Sequence, residues 1–429
     1  MNYIKIENKS NNIVDNFVAD NNLFALFDSP VNILFIDNFL INIKRFKDVF
    51  SKYGMSNNIF FSCKVNKAYT FLKYAASTGC GIEVSSEYEL KDALKYTNKI
   101  IATGPAKSNN YLRLAILNNC IVSVDDIEEL KNIKRMRLKA KISLRISNLQ
   151  GDISRFGINK ENISDCLKII KNSNITLEGL LFHFNNYSID ARIKAIKELV
   201  KLIRKNNINT IKFIDIGGGI PINYCSKFDW ENFNFNINKH MFFKDKDFKD
   251  FYPYYSKIVG EKFLEEILKE TKKDLADIQI YVEPGRSLLD NCGISIYKVE
   301  YVKELYNGDN IIITNGNINC LSEQWFNTDY LIEPKLIPRK HNRNNKDYYA
   351  SVAGNLCLEQ DMLTWRKIKF PHKPLKGDYL IYYNTAAYQM DSNESMFHKI
   401  PLVKKYYVIK EKCGYIIGED EENDSKIND

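Results

Sequence analysis

Phe213-Ile214-Asp215-Ile216-Gly217-Gly218-Gly219 is an apolar run of strand type that ends in three residues without side chains. Just upstream, residues 191–204 repeat apolar side chains at intervals of three and four, as an amphipathic helix does. The same alternation extends outward on both sides. Strand-like runs occur at 33–36, 59–63, 121–124, 142–146, 180–184 and 278–282, with further helical stretches at 69–77 and 87–96. Strand and helix in alternation imply parallel strands joined by right-handed crossovers. About eight such units make an α/β barrel of the TIM type.

Beyond Arg286 the pattern changes to strand-rich segments at 294–302, 310–314, 348–352, 379–383 and 406–409, separated by turn residues. That predicts a separate β domain. The expected layout is a barrel over 31–285, a β domain over 286–417, and an acidic, disordered tail over 418–429. Residues 222–257 interrupt the alternation directly after the glycines and are rich in aromatics. A loop there leaves the C-terminal face of a barrel strand, so it is either a surface excursion or a lid over a site.

The bulk properties bound the function. A chain of 429 residues is too long for one ordinary core. Nine dispersed cysteines, an odd number with no two separated by only two residues, argue against a disulfide framework or a zinc site. The five histidines are isolated as well, so no metal is implied. No run of eighteen apolar residues occurs and the N-terminus is polar, which disfavours membrane spanning and export and points to the cytoplasm. The net charge of +8 is spread along the chain without a basic stripe, which argues against a nucleic-acid partner.

Four separated segments carry chemistry. Lys64 in Phe60-Phe61-Ser62-Cys63-Lys64-Val65-Asn66 places an amine at the end of a strand, where burial lowers its pKa and favours Schiff-base formation. Gly217, Gly218 and Gly219 let backbone N–H groups approach a phosphate. They lack dinucleotide-fingerprint spacing, because position 222 is Ile. Glu283 in Tyr281-Val282-Glu283-Pro284-Gly285-Arg286 closes another strand, and Cys357 follows Gly354-Asn355-Leu356. An amine, a phosphate cradle, an acid for a pyridinium and a thiol are the protein parts that pyridoxal 5'-phosphate (PLP) chemistry requires.

In order and type these segments resemble the fold-type III decarboxylases, the group of ornithine, arginine and diaminopimelate decarboxylases with alanine racemase as a distant relative, over about residues 29–404. The resemblance implies PLP bound to Lys64, Glu283 on the pyridine nitrogen, and Arg286 on phosphate or substrate carboxylate. It implies His183 stacked on the cofactor, Arg145 and Glu83 beside it, and Tyr388 on the phosphate. It also implies that residues 1–30 join the β domain, and that Cys357, supported by Asp361, protonates the α carbon from the neighbouring subunit of a homodimer. Two departures stand out. Asn185-Asn186 follow His183 where the family has Gly-Ser, and Leu358 follows Cys357 where ornithine and diaminopimelate decarboxylases have an acid for the substrate's distal cation. An ammonium against leucine is costly to desolvate. The segment 388–401 resembles a branch of the group found with secondary-metabolite pathways. The expected activity is therefore decarboxylation of an amino acid or amino-acid conjugate that is not a simple diamino acid. A racemase or epimerase on the same barrel, or a non-catalytic homologue that regulates a partner, are the alternatives.

Overall fold

The computed structural model describes residues 9–20, 27, 29–151, 153–236, 255–321, 324–325, 328–329, 333–339 and 346–421. The chain divides into two units. One comprises Leu40–Pro221 and Ile258–Leu288; the other comprises Met1–Phe39, Ile222–Lys257 and Leu289–Asp429.

The first unit is a closed parallel barrel. Its eight strands are Phe60–Ser62, Gly81–Val84, Ile100–Ala102, Ile121–Val124, Ala140–Ser147, Ile175–Leu181, Phe213–Asp215 and Gln279–Tyr281, each parallel to the next. Closure comes from a parallel bridge between Ile59 and Val282, where the Phe60 amide donates to the Val282 carbonyl at 2.9 Å and the Val282 amide to the Asn58 carbonyl at 3.1 Å. The strands read as continuous apolar runs because both faces are covered. The second and third are not among the strand-like runs read from the sequence.

Four of the helices between them begin at side-chain caps. Ser86 accepts from the Glu89 amide, Ser108 from Tyr111, Asp126 from Glu128 and Ser188 from Ala191. Each cap therefore marks where the chain leaves the C-terminal mouth of the barrel.

The second unit is built on a mixed sheet. Its order is Met362–Phe370, Tyr348–Ala353, Asn310–Thr314, Gly293–Glu304, Val31–Phe35, Lys404–Glu411 and Gly414–Glu419, with Tyr379–Tyr383 also paired to Gly293–Glu304. Val31–Phe35 runs antiparallel to residues 293–296 and parallel to 404–408. This corrects the expectation that the run at 33–36 is a barrel strand. A strand central to a sheet and covered on both faces has the same unbroken apolar signature as a barrel strand, so burial alone does not reveal its partner. Phe17, Val18, Val31, Ile33, Phe35, Ile294, Ile296 and Val408 form the core here.

Gly418 and Glu419, placed by sequence in a disordered tail, are strand residues opposite Tyr407 and Tyr406. The base of the 222–257 excursion is tied by reciprocal bonds, Asn223 Nδ2 to the Ser256 carbonyl at 3.2 Å and the Ser256 amide to Asn223 Oδ1 at 2.6 Å. A helix spans Lys227–Asn236. Residues 237–254, on which the lid expectation falls, lie outside the described residues. Among the described residues no helix is long and apolar enough to cross a membrane.

Candidate active site

Parallel strands deliver their C-terminal ends to one mouth of a barrel. Lys64 sits in a 3-10 turn directly after the first barrel strand, Glu83 on the second, Arg145 on the fifth, His183 just past the sixth, the three glycines just past the seventh and Glu283 just past the eighth. Lys64, Glu83, Arg145, His183 and Glu283 line a single cavity of about 500 Å³ together with Ser85, Asp125, Arg155 and Phe156.

Each group has a defined electrostatic setting. Lys64 Nζ lies 3.8 Å from Glu83 Oε2, and its side chain is 46% exposed while that of Glu83 is 1% exposed. The burial expected for Lys64 is thus absent, because its terminus stands in the open cavity. Burial alone would raise Glu83, but Lys64 and hydroxyl donors from Ser62, Thr103 and Ser85 outweigh it and hold the carboxyl below its ordinary value. His183 is pushed well below its ordinary value by burial and by the cations Lys64, Arg145 and Arg192. Its Nδ1 accepts the Gly218 amide at 3.2 Å, so the ring is neutral. Arg145 faces Asp125 at 3.6 Å.

Glu283 is buried and pushed well above its ordinary value, first by burial, then by Asp215 and Glu83. Its Oε1 has no protein partner among the described residues. Asp215, the last residue of the seventh strand, is raised to about 7 by burial even though it accepts the Gly217 amide at 2.8 Å. Two adjacent buried carboxyls share a proton more readily than they hold two charges.

The glycines are dictated by close approach. Gly217 and Gly219 have φ of +66° and +69°, and a Cβ on Gly217 would lie 2.5 Å from His183 Nδ1, on Gly218 2.7 Å from the Glu283 carbonyl, and on Gly219 2.7 Å from Arg192 Nη2. Arg286 is half-buried three residues beyond Glu283.

The remaining expected residues belong to the other unit. Cys357 is exposed and Leu358 is 44% exposed. Asp361 is buried, and its carboxylate accepts the Ile318 amide at 2.7 Å and the Leu356 amide at 2.6 Å, which fixes the loop that carries Cys357. Tyr388 has φ of +72°, a conformation that costs energy for a bulky residue, and its carbonyl accepts the amides of Asp391 and Ser392.

A match to the family described as pyridoxal-dependent decarboxylase, pyridoxal binding domain, covers residues 40–290, more than half of the chain. The chain belongs to the pyridoxal-dependent decarboxylases. An uncharacterized protein of Sinorhizobium fredii, y4yA, is 30% identical over 91% of this chain and 90% of its own. Diaminopimelate decarboxylase of Staphylococcus aureus is 24% identical over 83% and 84%. The crystal structure of diaminopimelate decarboxylase from Helicobacter pylori complexed with L-lysine superposes with a TM-score of 0.74 at 20% identity, over 94% of this chain and 97% of that one.

This decarboxylase is a carboxy-lyase with PLP as cofactor, and its barrel residues suit that group. Glu283 Oε1 lacks the donor that a protonated ring nitrogen provides, and the three glycines leave the space a Cβ would fill. The sequence left several participants unmarked. Asp215 stands inside a quoted motif, but its proximity to Glu283 depends on strands far apart in sequence. Arg192 looks like any surface helix residue yet is fully buried. Arg155 and Phe156 lie on the loop after the Arg145 strand, with the guanidinium groups of Arg145 and Arg155 over the Phe156 ring at 4.4 and 3.9 Å. The signal available was their place: a loop at the C-terminal end of a barrel strand.

Proposed function

We propose that the protein decarboxylates an amino acid or amino-acid conjugate whose distal end is not a bare ammonium. The observation that carries this is the joint lining of one cavity by Lys64, Glu83, Arg145, His183 and Glu283. When bound, PLP supplies the electron sink for the pair released as the carboxylate departs. Lys64 would supply the amine that holds the cofactor. Glu83 positions Lys64 through their ion pair. The neutral ring of His183 offers a flat face for stacking, and Glu283 keeps a proton at the ring nitrogen. The turn Gly217-Gly218-Gly219 would receive the phosphate through the Gly219 amide, since those of Gly217 and Gly218 are taken by Asp215 and His183. Tyr388 would join it there, with Arg286 on the phosphate or the substrate carboxylate and Arg145 beside it. Cys357, from the partner in a homodimer, returns a proton to the α carbon, and Asp361 holds its loop.

Two observations support the substrate class. Leu358 offers nothing to a distal cation, and desolvating an ammonium against it is unfavourable. Arg155, on the cavity wall, pairs with no carboxylate among the described residues, so an anionic or neutral polar distal group suits this side better. We assign the protein to a reducing, cytoplasmic setting, where cysteines outside disulfides are the rule.

The test is to load the purified protein with PLP, offer a panel of L- and D-amino acids and their carboxylated conjugates, and follow carbon dioxide by mass spectrometry with Lys64→Ala as control. Lys64-dependent release from a member without a distal ammonium is expected. Racemisation without carbon dioxide, or release confined to diamino acids, would overturn the reading.

A further inference from the structure

Arg192 is one of the two largest fully buried side chains among the described residues, at 0% exposure, and no carboxylate there pairs with it. A buried cation without a counter-charge is costly, so it persists only where its donors are consumed and something compensates it. The donors of its two terminal nitrogens go to carbonyls, while its Nε has no partner among the described residues. Nη1 donates to the Asn186 carbonyl at 2.8 Å and the Ser188 carbonyl at 3.2 Å, and Nη2 to the carbonyls of Phe184, Gly218 and Gly219, each at 3.3 Å. Phe263 and Phe184 cover its faces at 5.2 and 5.9 Å. Burial lowers it only to about 10, so the charge is retained at neutral pH.

In a trans peptide the carbonyl and the following N–H point in opposite directions. The three carbonyls on Nη2 therefore aim the amides of Asn185, Gly219 and Ile220 away from the guanidinium. Among the described residues, these three amides donate to no protein acceptor, whereas those of Gly217 and Gly218 are taken by Asp215 and His183. Alternating backbone handedness at a glycine run with free amides is an anion-binding nest. Arg192 joins the two turns that form it: the glycine turn and the Asn185-Asn186 turn that stands where the family has Gly-Ser.

Resting on the PLP reading above, we propose that Arg192 is a positioning residue that stands behind the phosphate cradle, fixes the orientation of its amides and supplies, through those peptides, the positive charge that balances the phosphate dianion. It never touches the cofactor. The missing Gly-Ser is replaced by a cation acting from the rear, and a dianion in the nest is the compensation that the buried guanidinium lacks in its absence.

The test compares PLP with pyridoxal, which lacks the phosphate, by fluorescence titration of the full-length protein freed of cofactor. Arg192→Gln should weaken PLP at least tenfold while changing pyridoxal less than twofold. Arg192→Lys, which keeps the charge but cannot span five carbonyls, should lose affinity for PLP severalfold, also without effect on pyridoxal, and it stands as the deciding variant if the glutamine protein does not fold. Equal losses for the two ligands, or unchanged PLP affinity in the lysine variant, would overturn the proposal. Wild-type protein that binds PLP and releases carbon dioxide keeps the decarboxylase reading intact in that case; wild-type protein without PLP affinity would overturn both.

Discussion

Asp215→Asn should stabilise the cofactor-free protein at neutral and alkaline pH and change little in acid. Asp215 is fully buried beside Glu283, and burial raises its pKa from 3.8 to about 7. Between those values the native chain holds a proton that the unfolded chain has released, so the native state binds more protons and stability falls as pH rises through the window. The contribution is fully present below pH 4 and lost above about 7. At 1.36 kcal/mol per unit, a rise of about three units sets a ceiling of about 4 kcal/mol on the penalty at pH 8. At pH 5.5 about half of it has accrued. Asparagine removes the charge and keeps an oxygen for the Gly217 amide, which Asp215 holds at 2.8 Å.

The gap between variant and wild type should therefore widen by about 2 kcal/mol from pH 5.5 to pH 8. Urea unfolding followed by circular dichroism at 222 nm is the suitable assay. The three tryptophans, Trp230, Trp325 and Trp365, all belong to the β-domain unit and do not report on the barrel. Parallel pH profiles for the two proteins, or a variant less stable than wild type at pH 8, would refute the argument that this carboxyl is held against its charge.

Leu358→Asp should restore the acid that binds a distal cation and lower KM for a diamino acid about tenfold, worth about 1.4 kcal/mol; an unchanged KM in steady-state assays would detach Leu358 from substrate choice. Arg155→Ser should raise KM for substrates with an anionic distal group at little change in kcat, the signature of lost uniform binding. Lys107→Met breaks the buried pair with Glu129 at 3.0 Å, where the lysine side chain is 1% exposed, and should cost about 3–5 kcal/mol, a fall of about 10 °C in the melting temperature by calorimetry. Mixing Lys64→Ala with Cys357→Ala protein should recover part of the activity if each site draws on two subunits, and subunit exchange without recovery would count against shared sites.

How far the sequence led can be traced through particular residues. Lys64, His183, Gly217 and Glu283 were legible because each closes a strand or lies just beyond one, and the strand announces where its end points. Asp215 was quoted without a role, since its chemistry comes from a neighbour 68 positions away. The strand Val31–Phe35 was misplaced for a related reason: partner choice in a sheet is non-local, and the short apolar run at 33–36 carries no record of it.

Arg192 marks the deeper limit. Its spacing in the helix Ile189–Lys205 gives a basic residue in an amphipathic stretch, for which a solvated face is the ordinary expectation. What buries it is the pair of turns on either side, one missing side chains at Gly218 and Gly219 and the other at Phe184–Ser188, whose carbonyls converge on a single point. A guanidinium is the one side chain whose fixed, charged fork can serve five converging carbonyls, here through Nη1 and Nη2 alone. The glycines are therefore constrained from two sides: in front by the approach of an anion, and behind by Arg192, whose Nη2 would meet a Cβ on Gly219 at 2.7 Å. A turn that needed glycine only for the anion could tolerate a small side chain directed away from it. Here that direction is filled, so substitution of Gly219 by alanine should be as damaging to the folded barrel as to the cradle.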